Sequence, residues 1–226
     1  MSGIGDNLKV VRDRIVAAAS AAGRPAEGVQ LVAVSKGKSA DTIRDAYAAG
    51  QRRFGENYAQ ELAAKAASLA DLVGIEWHFI GHLQSNKAKT VAPIAHVVHT
   101  VDSPGLAREL ARRVLKAGRG PLPVLIEVNV TREPQKHGAS PSDLKDVIEA
   151  VAAEPLLALR GLMTVPPVED LAAARAAFET LASLRSLHGG AALLPELSMG
   201  MSHDLEVAVA CGATLVRVGT AIFGPR

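Results

Sequence analysis

Apolar residues in this chain keep two alternating rhythms. One is a set of short, nearly continuous apolar runs, at positions 31–35, 53–55, 77–80, 97–101, 124–129, 159–163, 196–199 and 215–218. Several are apolar on both faces, as expected of strands covered on both sides. The other rhythm fills the gaps, with apolar residues returning every three or four positions. Ser39 can cap a helix whose apolar face carries Ile43, Ala46 and Tyr47, with Gly50 as its stop. Ser103-Pro104 offers a cap followed by proline at the first helical position, with Gly118 at the far end. Ser140-Pro141 repeats the device ahead of Leu144, Val147, Ile148 and Val151. Asp170 opens an alanine-rich helix through Phe178, Leu181 and Leu184, and Ser202 or His203 begins another that ends at Gly212. A further helix over 5–22 precedes the first strand.

Strand–helix alternation at this spacing implies right-handed parallel crossovers. Eight such units predict an α/β fold, a single (β/α)8 TIM barrel with an extra N-terminal helix. An open doubly wound sheet is the alternative, but the first strand–helix turn, Ser35-Lys36-Gly37-Lys38, lacks the glycine fingerprint of a dinucleotide fold. No linker or composition break divides the chain, so one domain over 1–226 is expected.

Composition narrows the function classes. Lys plus Arg (25) nearly balance Asp plus Glu (23) in the 226 residues, so no bulk field favours nucleic acid or a membrane surface. The densest basic cluster, Arg108, Arg112, Arg113, Lys116 and Arg119, lies opposite Leu106, Leu110, Val114 and Leu115 and reads as a solvated helix face. Cys211 is the one cysteine, which excludes an internal disulfide and suits a reducing cytoplasm. Asp6, Lys9, Arg12, Asp13 and Arg14 make the start neither a signal peptide nor a membrane span. The histidines argue against a metal: His96 and His99 point to opposite strand faces, and His78 and His82 would lie about 13 Å apart on extended chain.

In a barrel the chemistry collects at the C-terminal strand ends. Those ends offer Lys36, Glu56 and Asn57, His78 and His82, Asp102, Asn129, Met163 and Thr164, residues 198–202 and residues 217–220. An amine at such a rim is a candidate Schiff-base former with aldehydes; taken alone, Lys36 reads more simply as a lysine snorkelling from a strand end. Ser198 to Ser202, leading into a helix, and Gly219-Thr220-Ala221 after the last strand occupy the place of a barrel phosphate site. Arg217 interrupts an apolar strand and needs acceptors: an internal carboxylate such as Glu196 or Glu127, or a heterocycle nitrogen. Asn57 with Gln60 fits a helix cap equally as well as a ligand contact. Pyridoxal 5′-phosphate (PLP) presents an aldehyde, a phosphate and a pyridine nitrogen on one ring. A Schiff-base aldolase would need the amine and the phosphate cradle but not the arginine.

These motifs carry a resemblance. Ala33-Val34-Ser35-Lys36, Phe54-Gly55-Glu56-Asn57-Tyr58, Trp77-His78-Phe79-Ile80-Gly81, Leu83-Gln84-Ser85-Asn86-Lys87, Arg160-Gly161-Leu162-Met163, and the segments 197–202 and 216–224 follow one another as in the PLP homeostasis family. That family resembles the N-terminal barrel of alanine racemases. The resemblance implies PLP bound as an internal aldimine on Lys36, with Arg217 facing the pyridine nitrogen. It places Ser202, Gly219 and Thr220 on the phosphate, Ser198 and Met199 lining the site, Asn57 on the ring's oxygen side and Met163 packed nearby. Glu133-Pro134-Gln135-Lys136-His137-Gly138 keeps a Lys-X-Gly pattern with Pro134 and His137 at variable places, and leaves the role of Lys136 open.

The family implies a cytoplasmic monomer that buffers or delivers PLP, with apo PLP-dependent enzymes as partners, and no nucleic acid, membrane or metal. The residues point the same way. An arginine at the pyridine nitrogen makes the ring a weaker electron sink than an aspartate partner would. Two-base racemisation needs a second acid/base, which related racemases take from another domain, whereas this chain ends at Arg226, just past its last barrel element. Lacking that group forfeits help typically worth about 10²–10⁴-fold. A small PLP enzyme, such as a racemase of low activity, is the alternative.

Overall fold

A computed structural model describes residues 3–133, 135–167 and 170–225. Eight parallel strands close into a barrel in sequence order: β1 (Gln30–Val34), β2 (Arg53–Glu56), β3 (Glu76–Phe79), β4 (Val97–Val101), β5 (Leu122–Glu127), β6 (Leu157–Met163), β7 (Glu196–Ser198) and β8 (Leu215–Val218). The ring shuts where Leu31 and Val32 of β1 pair with Val216 and Arg217 of β8. The helices are α1 (Ile4–Ala21), α2 (Ala40–Ala48), α3 (Ala59–Ser68), α4 (Ala88–Val91), α5 (Pro104–Lys116), α6 (Leu144–Ala152), α7 (Leu171–Leu187), α8 (Gly190–Leu193), α9 (Leu205–Ala210) and α10 (Thr220–Phe223). The TIM barrel and its extra N-terminal helix are as the pattern predicts. No helix among the described residues is long and apolar enough to cross a membrane.

The strand period of two sorts side chains into two cores. Phe54, Trp77, Phe79, Leu197 and Val216 point outward and join the large cluster beneath the helices. Val32, Leu125, Met163 and Leu215 form a small separate cluster inside the ring. α1 buries Leu8, Val11 and Ile15 against α9, α10 and α2, and its Arg14 reaches Glu206 at 2.7 Å and the Ser202 carbonyl at 3.0 Å. The extra helix therefore braces the loop that carries Ser202.

Local capping follows the sequence in most places. Ser39 Oγ accepts the Thr42 amide, Ser103 Oγ that of Leu106, and Asp170 Oδ1 those of Ala172 and Ala173. Two helices begin later than expected. After Ser140-Pro141 the Asp143 amide bonds both the carbonyl and the hydroxyl of Ser140, making a tight turn, and α6 starts only at Leu144. Likewise Asp204 Oδ1 takes the Met201 amide, so 202–204 form turns and α9 starts at Leu205. Leu115, expected on the apolar side of α5, is 68% exposed, because Val114 completes the buried stripe and the next residue turns outward.

Candidate cofactor site

A cleft of about 630 Å³ opens at the C-terminal rim, and Lys36, Asn57, Ser202, Arg217, Gly219 and Thr220 all line it. Lys36 follows β1 at the spacing that puts Val32, Val34 and Lys36 on the inner side of the strand. Its loop is set from behind. Lys65 of α3, on the same helix face as Ala59 and Leu62, is buried, and its Nζ donates to the Ser35 carbonyl (2.7 Å), Glu56 Oε1 (2.7 Å) and Glu61 Oε1 (2.8 Å). Ser35 Oγ also donates to Glu56 Oε1 at 2.6 Å, and the Gly37 amide donates to Glu61 Oε1 at 2.6 Å. Both neighbours of Lys36 are thereby held. Glu56, expected at the rim, instead faces the helices, as its place next to inward Gly55 requires. Burial raises its pKa, against the lowering effect of Lys65 and Ser35.

Asn57 does not cap α3. Tyr58 holds the cap position without a side-chain bond, and Asn57 Oδ1 is buried with no hydrogen-bond partner among the described residues. The backbone of Gly81 crosses so close to Asn57 that any side chain there would strike the Asn57 carbonyl. A buried acceptor left unpaired at a cleft wall calls for an explanation that helix capping does not supply.

Arg217 is 4% exposed. Its Nη1 donates to Ser198 Oγ at 2.7 Å and its Nη2 to the Thr164 carbonyl at 2.9 Å. Neither acid considered from the sequence pairs with it: Glu196 is taken by Arg160 at 3.1 Å, and no ion pair of Arg217 occurs among the described residues. Burial lowers its pKa to about 10, with Glu127 and Asp204 working against the drop, so the guanidinium stays charged at neutral pH. Around the phosphate-type corner, Ser202 Oγ accepts the Ala221 amide at 3.3 Å, tying the loop after β7 to the start of α10. Gly219 passes Val34 so closely that an added Cβ would sit 3.2 Å from the Val34 carbonyl oxygen.

Three expected residues lie off the cleft. Met163 is fully buried inside the ring with Val32, Leu125 and Leu215, and Met199 is fully buried in the helix-side core. Ser198 lies beneath Arg217 and reaches the cleft only through it. Val165, Leu171 and Ala174 supply an apolar wall that strand ends alone do not reveal, since it comes from the loop after β6 and from α7. Other rim groups sit apart. The His82 and His137 rings stack at 3.6 Å, His82 Nδ1 lies 3.5 Å from Asp102, and Lys136 Nζ lies 2.6 Å from Glu133. Pro134 of that segment is outside the described residues. Glu127 is buried, and desolvation, with Asp102 nearby, pushes its pKa up to about 7. No group of three or more metal-ligating side chains occurs among the described residues.

Residues 7–226 match the family described as alanine racemase, N-terminal domain. A pyridoxal phosphate homeostasis protein of Pseudomonas aeruginosa is 50% identical over 228 residues, covering 100% of this chain and 97% of its own. The chain belongs to the pyridoxal phosphate homeostasis protein family. Among solved structures, PipY of Synechococcus elongatus without PLP superposes with a TM-score of 0.88 at 40% identity, covering 98% of this chain and 100% of PipY. PipY with PLP bound gives 0.83 at the same identity and coverage. In this family member the matching motifs of β1, β2, β3, β7 and β8 converge on the cleft, β3 through Ile80.

Proposed function

We propose that this chain binds PLP at the rim cleft and serves PLP homeostasis, holding the cofactor and buffering or delivering it without strong turnover. The observation that carries this reading is one cleft bringing together the Lys36 amine, the orphaned Asn57 oxygen, and a charged Arg217 that donates to two neutral acceptors, Ser198 Oγ and the Thr164 carbonyl. When bound, PLP supplies an electrophilic aldehyde on an electron-poor ring.

Each residue has a task in this reading. Lys36 provides the attaching amine, with Ser35 and Gly37 locked by the Lys65 network so that little loop entropy is lost on binding. Arg217 donates toward the ring nitrogen and, being charged, keeps that nitrogen unprotonated and the ring a weak electron sink. Ser202, Gly219 and Thr220 hold the phosphate, where Gly219 allows close backbone approach. Asn57 takes the ring's oxygen side, presenting its amide oxygen or, turned over, its nitrogen. Met163 and Met199 support from within the two cores, and Ser198 acts beneath Arg217. Delivery to apo PLP-dependent enzymes, as a cytoplasmic monomer, completes the proposal; the lone Cys211 supports the reducing compartment.

Borohydride reduction of the PLP-loaded protein followed by peptide mass spectrometry tests the assignment. The expected adduct maps to Lys36; an adduct elsewhere, or none, overturns it. Incubating the loaded protein with L-alanine in deuterated water tests the carrier role. No Cα exchange over hours is expected, and rapid exchange would make the protein an enzyme instead.

A further inference from the structure

Beneath Arg217 a run of buried polar side chains crosses the barrel interior. Arg217 Nη1 lies 2.7 Å from Ser198 Oγ, His99 Nδ1 lies 2.9 Å from that same oxygen, and His78 Nδ1 lies 2.8 Å from His99 Nε2. His78 is 3% exposed, and His99 and Ser198 are fully buried. On its far side His78 Nε2 faces Glu76 Oε2 at 3.9 Å, and that carboxylate pairs with Arg53 at 3.0 Å. Glu76 begins β3, so the run spans from the cleft side to the opposite mouth of the barrel. The interiors of TIM barrels are filled mainly by branched apolar side chains, as in the neighbouring Val32, Leu125, Met163 and Leu215 cluster. A polar run in that setting costs desolvation, which the three contacts from Arg217 to His78 offset; His78 Nε2, 3.9 Å from Glu76, has no hydrogen-bond partner among the described residues.

One order turns every proton toward an acceptor. Ser198 Oγ accepts from Arg217, which only donates, and gives its proton to His99 Nδ1; the reverse order, with Ser198 accepting from both, would leave that proton without an acceptor and set the His78 Nε2 lone pair against the Glu76 carboxylate. His99 then carries its proton on Nε2 and donates it to His78 Nδ1. His78 in turn carries its proton on Nε2, aimed at Glu76. A second proton on His78 would set two N–H groups against each other. Burial lowers the pKa of both rings, and His99 is pushed further down by His78 and Arg217. Glu76 works the other way on His78, while Arg53 opposes it.

We infer that His99 and His78 are positioning residues for Arg217, holding the Ser198 lone pair toward the guanidinium so that Ser198 and the Thr164 carbonyl pin both its terminal nitrogens. The run is an orienting device and not a proton path, because the arginine at its cleft end keeps its proton. Its consequence for the cofactor rests on the reading that Arg217 faces the PLP ring: a pinned guanidinium sets the electronic state of the bound ring.

Long-range ¹H–¹⁵N NMR of the imidazoles in protein stripped of cofactor tests the order without any variant. Both His78 and His99 should be neutral Nε2–H tautomers from pH 8 to about 6. An Nδ1–H form of either ring, or titration at the ordinary histidine value, overturns the order. Ser198→Ala then cuts the run above the histidines, with thermal unfolding as the folding control. It should weaken PLP binding by about tenfold, as expected of a lost hydrogen bond to a charged group, and shift the visible band of the bound cofactor, while Ser198→Thr restores both. Unchanged affinity and spectrum in a folded Ser198→Ala would overturn the positioning role. Should the wild type take up no PLP at Lys36, the cofactor reading fails while the tautomer result still decides the order.

Discussion

Two buried polar networks hold the rim of this barrel, and they are built on opposite principles. The outer one, Ser35–Glu56–Lys65–Glu61, lies between the wall and α3 and secures the loop around Lys36 with an ammonium and two carboxylates. The inner one, Arg217–Ser198–His99–His78, holds a single cation with neutral, directional groups. In the outer network the one ammonium is the counter-charge of both carboxylates, so removing it leaves an uncompensated ion in a dry place. In the inner network the histidines can be lost without stranding a charge on a neighbour. Equal burial therefore does not mean equal cost.

Lys65→Met is the sharpest way to break that contrast. It strands the Glu56 carboxylate, whose second oxygen already has no hydrogen-bond partner among the described residues. A loss of roughly 3–5 kcal/mol by urea denaturation, with weaker labelling of Lys36, is expected. A loss below about 1 kcal/mol would show that the outer network is not an anchor.

Glu127 belongs to neither network, and a change there is the next largest. Its pKa is raised from 4.5 to about 7, so the folded state holds a proton that the unfolded state gives up between those values. Stability contributed by this group is highest at low pH and falls as pH rises to about 7, a difference of roughly 3 kcal/mol. Glu127→Gln should therefore stabilise the protein by about that much at pH 8 and leave it unchanged near pH 4, compared by denaturant midpoints. Equal midpoints at pH 8 would refute it.

The inner network predicts the reverse slope. His78 and His99 have lowered pKa values, so the unfolded chain takes up protons that the fold refuses once pH falls below 6.5. Stability should drop on that side by up to about 1.4 kcal/mol per pH unit for each ring, and His99→Phe should flatten the slope. A slope identical to wild type in His99→Phe would count against a neutral pair. The smallest effect belongs to the partly exposed Arg160–Glu196 pair, at 3.1 Å, directly below Ser198 on β7. Arg160→Ala should cost less than about 1 kcal/mol and leave PLP affinity alone; a large change in affinity would mean that strand β7 transmits strain to Arg217.

Much of this was legible in one dimension. All eight strands fall within two residues of their expected bounds, the largest differences being β5, which starts and ends two residues early at Leu122 and Glu127, and the early start of β6 at Leu157. Lys36, Asn57, Ser202, Arg217, Gly219 and Thr220 were readable as a set because each ends, interrupts or closely follows a strand. Lys65 was not, since its only local sign is Glu61 four residues earlier, a spacing common on solvent-facing helices. The choice between cap and ligand for Asn57 was undecidable locally, because the same residue spacing serves both. The histidine pairings were not legible either: nothing local joins His78 to His99 or His82 to His137.

The amino-acid sequence alone determined the alternation of strand and helix, the closed ring that follows from it, and which residues stand at the rim, because propensity, capping and periodicity act over a few residues. Only the tertiary structure decided which inward side chains share a level. Ring closure brings β3, β4, β7 and β8 across a common interior, and the stagger between strands, including the irregular β4–β5 register, sets His99 against Ser198 across 99 positions of chain. Contacts of that kind are fixed by geometry around the whole barrel, and no stretch of sequence contains them.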